Sequence, residues 1–161
     1  YPDIVDEVQR EFRAYCRDYP DALWKYFRDG DPLAYEQMGY WSFPLLFVSH
    51  TPEGSTSVDV LFEPGTFDKL AKGVYADYVR EGWGGQLELE SFHVDVVGPR
   101  LCLVRAGGLR GHKKGGVLNR WEGCYWLASK QGRWRQIALM DAAAPRPSAA
   151  TWMSWLRSWL E

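Results

Sequence analysis

Three side chains in the C-terminal half have the types and spacing for proton transfer: His93, Asp95 and Asp141. His93 and Asp95 stand two residues apart, so in a strand both project to one side. An imidazole held by a neighbouring carboxylate is a base poised near neutral pH. Asp141 closes a strand in which Arg135, Ile137 and Leu139 share its face. At the rim of an apolar pocket its pKa would rise, as a general base requires. At a free strand end it would be an ordinary solvated carboxylate. Tyr125 shares a face with Val117, Asn119, Trp121, Gly123 and Leu127. That face reads as inward. It brings the Tyr125 hydroxyl and the Asn119 amide toward the interior, for catalysis or simply as satisfied core groups.

The strand that carries His93 has a break in its phase. Leu87 and Leu89 alternate with Glu88 and Glu90, which puts odd positions inside. Phe92, Val94 and Val96 are then apolar at even positions. Two readings fit. A bulge near Ser91 flips the phase and leaves His93 and Asp95 outside. Without a bulge the two point into the pocket as a polar pair. Strong sheet curvature favours the bulge.

Other chemistries find little support. His50, His93 and His112 are scattered, so no metal site is expected. No glycine-rich phosphate loop, serine elbow or Cys/His signature is present, and no cofactor is expected. A net charge of −2 disfavours a nucleic-acid partner. The one basic cluster, Arg110-Gly111-His112-Lys113-Lys114, reads as a solvated loop among glycines. Cys16, Cys102 and Cys124 are odd in number and lack metal spacing, which argues for a reducing compartment. No signal peptide or membrane-spanning window is evident, so a cytoplasmic protein with no membrane partner is expected.

Long strands must position these groups, and they read at 86–97, 100–107, 117–129 and 133–141. Gly98-Pro99, a Gly107–Gly116 loop and Lys130-Gln131-Gly132 join them, and short joints imply antiparallel neighbours. Ahead of them, Ile4, Val5, Val8, Phe12, Tyr15 and Cys16 form one helical stripe that Pro20 should end. A short helix follows over 21–28 with Asp21 as cap, and another opens at Asp31-Pro32. Strands at 44–49 and 57–62 precede a helix marked by Phe67, Leu70, Ala71, Val74, Tyr78 and Val79, closing at Gly82. Helices first and strands later predict an α+β domain in which a curved antiparallel sheet packs against N-terminal helices. Nine Trp, nine Tyr and seven Phe exceed what a core this size needs, and suggest an aromatic-lined pocket.

The domain is expected over 1–144. Residues 145–161 follow as a Pro145-Arg146-Pro147 linker and a C-terminal amphipathic helix carrying Trp152, Trp155 and Trp159. That stripe must bury itself, against its own domain, over the pocket mouth or in a homodimer interface.

A helical first half, a short strand pair, an aromatic-striped helix and a meander ending in Gly132-Arg-Trp-Arg-Gln-Ile137 together resemble the nuclear-transport-factor-2-like superfamily. Ketosteroid isomerases and SnoaL-like polyketide cyclases share that cone-shaped fold. The run Tyr40-Trp-Ser-Phe-Pro-Leu-Leu-Phe-Val48 is similar to a segment of uncharacterised bacterial members. The likeness spans about residues 4–142 and speaks for fold more than function. It implies a conical pocket between sheet and helices. It also implies chemistry without metal or organic cofactor, in which an Asp or His base works with a Tyr or acid that stabilises an oxyanion. Candidate catalytic residues are then His93, Asp95, Asp141 and Tyr125, with Tyr40, Trp41, Asn119 and Trp121 against the substrate.

Known site patterns do not transfer cleanly. The region of the ketosteroid isomerase Asp holds Leu45, Leu46 and Phe47. No inward Arg is evident for a limonene-epoxide-hydrolase-type site. Tyr40, His50 and His93 imitate a scytalone-dehydratase-type set only in outline. Three functions stay open, in this order: an isomerase, dehydratase or cyclase acting on a hydrophobic small molecule, a noncatalytic binder of such a molecule, and a dimeric interaction scaffold.

Overall fold

The computed structural model describes residues 1–31, 38–50 and 55–141, the side chains at positions 50 and 141 excepted. The helix expected at Asp31-Pro32 and the Trp-rich tail over 145–161 fall outside the described residues.

Helix α1 runs unbroken over Pro2–Asp29, which corrects the stop expected at Pro20. Pro20 cannot donate to the Cys16 carbonyl, a defect costing about 3 kcal/mol in a helix interior. Yet one buried stripe continues through it: Val8, Phe12, Tyr15, Cys16, Tyr19 and Leu23. Packing of that stripe holds both halves in line where local propensity would not. Gly30, at φ 74°, ends the helix with its N–H on the Tyr26 carbonyl at 3.0 Å.

Six strands and one further helix follow among the described residues. They are β1 (Trp41–His50), β2 (Thr56–Leu61), α2 (Pro64–Glu81), β3 (Trp83–Gly98), β4 (Leu101–His112), β5 (Val117–Lys130) and β6 (Arg133–Asp141). Their order across one curved, unclosed sheet is β2-β1-β6-β5-β4-β3. Every neighbouring pair is antiparallel except β1 with β6. The expected α+β meander is present, and the parallel seam ties the N-terminal strand pair to it. Phe12 and Leu23 of α1 and Phe67 and Tyr75 of α2 share a core with Leu45, Val104 and Leu127 of the sheet. Both helices therefore cover the concave face.

Two register shifts decide what points inward. In β3 the shift lies between Leu89 and Ser91. Leu87 and Leu89 pack against the core before it, and Phe92, Val94 and Val96 after it. The bulged reading is the one the chain adopts. Gly108 pairs with Leu89 beside the bulge, where a Cβ would drive into the Glu88 carbonyl. Only a bare backbone fits there. The second shift falls in β5–β6 between Trp126 and Leu127. Gln136 pairs with Leu127 and Leu139 with Tyr125, so both face the core. The unbroken alternation expected for 133–141 is corrected by this irregularity.

β4 also continues past Gly107 to His112, which shrinks the expected Gly107–Gly116 loop to a turn at 113–116. Gly107 is squeezed between its neighbours: a Cβ there would meet the Ser91 Oγ at 3.0 Å and the Trp121 carbonyl at 3.1 Å. The Gly132-Arg-Trp strand clamps the helix to the sheet. Arg133 donates to the Met38 carbonyl at 3.1 Å and to Glu11 at 3.4 Å, and Trp134 Nε1 to Glu7 at 3.2 Å. No helix among the described residues is long and apolar enough to cross a membrane.

Candidate functional site

Strand parity carries the concave face along β4 from the fully buried Cys102 and Val104, through Ala106 and Gly108, to Arg110. Opposite these on β5 stand Leu127, Tyr125, Gly123, Trp121 and Asn119. Rings from the helices and β1 meet this surface. Phe12 touches Phe92 and Tyr125, with centroids at 5.4 and 4.9 Å. Tyr15 stacks on Tyr19 at 5.4 Å and meets Trp41 edge-on at 5.7 Å. Tyr75 then links Tyr19 at 5.8 Å to Trp83 at 4.9 Å. The rings form one continuous wall from Phe92 to Trp83. Each such contact adds about 0.5–1.5 kcal/mol beyond area burial.

Polar groups are set into this wall. Gln136 is buried and hydrogen-bonds the Tyr15 hydroxyl, whose pKa is lifted well above the ordinary phenol value, chiefly by burial. The Gln136 Oε1 has no hydrogen-bond partner among the described residues, and neither does the solvent-shielded Trp121 Nε1. Arg110 Nη1 donates to Asn119 Oδ1 at 3.1 Å. Its guanidinium lies over the Tyr78 ring at 4.3 Å and the Tyr75 ring at 5.4 Å. Its Nε is closed to solvent and has no partner among the described residues. Burial alone would disfavour the charge, but Tyr75 and Tyr78 outweigh it and the net shift is upward. None of the ion pairs among the described residues includes Arg110.

This corrects one expectation. Arg110 is not part of a solvated basic loop but faces inward, and no carboxylate among the described residues pairs with it. The signal was available in the even-numbered parity of Cys102, Val104 and Ala106, which reaches Arg110 if the glycines are kept in the strand.

The structure divides the expected site residues between two faces. Tyr125 is half-buried against Phe12 and Tyr15. Asn119 holds Arg110, Trp121 stands beside it, and Trp41 is buried in the ring wall. Tyr40 is buried, and its hydroxyl donates to Asp18 Oδ2 at 2.6 Å. His93 and Asp95 do form a pair, Nε2 to Oδ1 at 2.8 Å, but on the convex face. Their side chains are 57 % and 45 % exposed there. The hydrogen bond from His93, with help from Arg105, holds Asp95 below the ordinary Asp value. The bulge is the physical reason they miss the pocket. Asp141 pairs with Gly123 in the β5–β6 register, and its side chain lies outside the described residues. A separate groove of about 800 Å³ runs between α1 and β3, with Arg13, Arg17, Asp18 and Glu88 on its walls. No cluster of three or more potential metal ligands occurs among the described residues.

No family model matches the sequence, and no curated protein does. Solved structures do match. A protein from Shewanella baltica, described as NTF2-like and of unknown function, aligns over 92 % of this chain and 98 % of its own. Its TM-score is 0.55 at 11 % identity. The chain has an NTF2-like fold. An NTF2-like protein of unknown function from Shewanella oneidensis aligns with a TM-score of 0.51 at 15 % identity, over 85 % of this chain and 97 % of its own. A domain of unknown function with a cystatin-like fold from Nostoc punctiforme reaches 0.55 at 14 % identity, over 92 % and 85 %. The NTF2-like cone expected from the sequence is thus present. These three neighbours are themselves described as of unknown function, so they carry the fold and no activity.

Proposed function

We propose that this chain binds a hydrophobic, ring-bearing small molecule against the aromatic concave face. The observation that carries the reading is a wall of rings holding polar atoms without partners, Trp121 Nε1 and Gln136 Oε1. A sealed core pairs nearly all of its buried polar atoms. A binding wall keeps a few free to orient a guest. Among the described side chains the inward polar groups are hydroxyls, amides and a guanidinium, which bind and orient. The imidazole–carboxylate pair suited to moving a proton lies on the other face. That favours binding over isomerase, dehydratase or cyclase chemistry. Three free cysteines, two of them buried, fit the reducing cytoplasm.

Titration with phenylnaphthylamine, an uncharged aromatic fluorophore, tests the reading. Saturable binding at one site per chain, with energy transfer from tryptophan, is the expected result. Absence of saturable binding overturns it.

A second copy of the chain is the proposed macromolecular partner. Edge strand β2 exposes Val58 at 61 % and Val60 at 48 %, and Phe62 just beyond it at 73 %. Exposed apolar edges are surfaces that proteins cover. Sedimentation should show a homodimer that Val60→Lys returns to monomer. A wild-type monomer at micromolar concentration overturns this part alone.

A further inference from the structure

We propose that Arg110 anchors an oxyanion on the bound guest, which makes the ligand a ring-bearing carboxylic acid. This rests on the binding-wall reading above. A guanidinium withdrawn from water is costly unless a carboxylate answers it. Even the exposed arginines of the convex face have carboxylate partners: Arg105 meets Asp95, and Arg120 meets Glu90. Among the described residues Arg110 has only neutral company: the Asn119 amide, the Tyr75 hydroxyl that hydrogen-bonds it, and the Tyr75 and Tyr78 rings.

That company positions the guanidinium without neutralising it. Asn119 Oδ1 takes one Nη1 proton, and the Tyr78 ring at 4.3 Å supports the guanidinium. Nε keeps an unused N–H inside the wall. The adjacent inward pair, Gly108 with Trp121, adds a second unused donor, Trp121 Nε1. A fixed positive charge with two donors unpartnered among the described residues, on neighbouring strands, matches the acceptor-only chemistry of a carboxylate. Arg110 keeps partial exposure, so a ligand can reach it. The ring wall beside it would take the hydrophobic body of the same molecule.

A matched pair of dyes tests this: anilinonaphthalene sulfonate, whose sulfonate stands in for the carboxylate, and its uncharged parent phenylnaphthylamine. The wild-type chain should bind the anionic dye about tenfold more tightly than the parent. Arg110→Met should remove that preference, so that the two dyes bind within about twofold of each other. Trp121→Phe keeps an aromatic ring while deleting the donor, so it serves if Arg110→Met does not fold. It should narrow the preference for the anionic dye about threefold. Equal wild-type affinity for both dyes overturns the anchor while leaving the binding wall standing. So does an Arg110→Met or Trp121→Phe chain that keeps the wild-type preference for the sulfonate. Failure of the wild type to bind either dye overturns both readings.

Discussion

The two faces of the sheet use charge in opposite ways. On the convex side Arg105 pairs with Asp95 and Arg120 with Glu90, and His93 hydrogen-bonds Asp95, each side chain at least 42 % exposed. Such solvated pairs add little to stability. On the concave side Arg110 lies among rings and an amide, and its Nε is shut off from water. Among the described side chains, the His93–Asp95 pair suited to acid–base work is thus spent on the solvated face. Rings, hydroxyls, amides and one guanidinium line the other. Which face a residue occupies, rather than its type, separates paired surface charge from the charge set among rings here.

Substitutions on each face can break or sharpen that contrast. The largest effect is expected from Phe12→Ala, because Phe12 is 1 % exposed and meets Tyr15, Phe92 and Tyr125. Its truncation should cost about 3–5 kcal/mol in a urea melt. A loss near zero would mean that the ring wall is not packed as described.

Tyr40→Phe should have an intermediate effect. It removes the hydrogen bond to Asp18 and should cost about 1 kcal/mol near neutral pH. The pH dependence has a definite sign. Burial alone would raise the Asp18 pKa, but hydrogen bonds from Tyr40 and Arg17 prevail and hold it below the ordinary value. A carboxylate with a depressed folded pKa stabilises the fold above its ordinary pKa, about 3.9. That contribution is lost as pH falls through the lowered value. Urea melts from neutral to strongly acidic pH should therefore be less pH-dependent in Tyr40→Phe than in wild type. An identical slope would show that the Tyr40 bond does not set the Asp18 titration.

The smallest effect is expected on the convex face. Asp95→Asn should leave the melting temperature and phenylnaphthylamine affinity unchanged, because His93, Asp95 and Arg105 meet in water. A marked loss of dye binding would move the site to that face and dissolve the contrast.

Much of this architecture was legible locally. Apolar period and turn residues placed β1 and β2, α2 and the later strands, because those signals act between near neighbours in the chain. The inward Tyr125, Trp121 and Asn119 followed from strand parity within β5, which no register shift interrupts between Leu101–Arg110 and their partners. The sequence also exposed its own ambiguity at Ser91, since both halves of β3 are apolar on opposite parities.

What resolved that ambiguity is not local. The bulge at Leu89–Ser91 exists because β3 must pair with β4, and a one-residue shift there sends His93 and Asp95 to the convex face. Pro20 stays helical because the stripe from Val8 to Leu23 packs as one surface. Gly107 and Gly108 read as loop residues by type, yet they are strand residues because the flanking backbones leave no room for a Cβ. Arg110 enters the interior only as a consequence of that pairing. Residue types and their periods alone determined which elements this chain would form. The tertiary structure decided which side chains face inward, because strand register depends on hydrogen bonds between segments far apart in sequence.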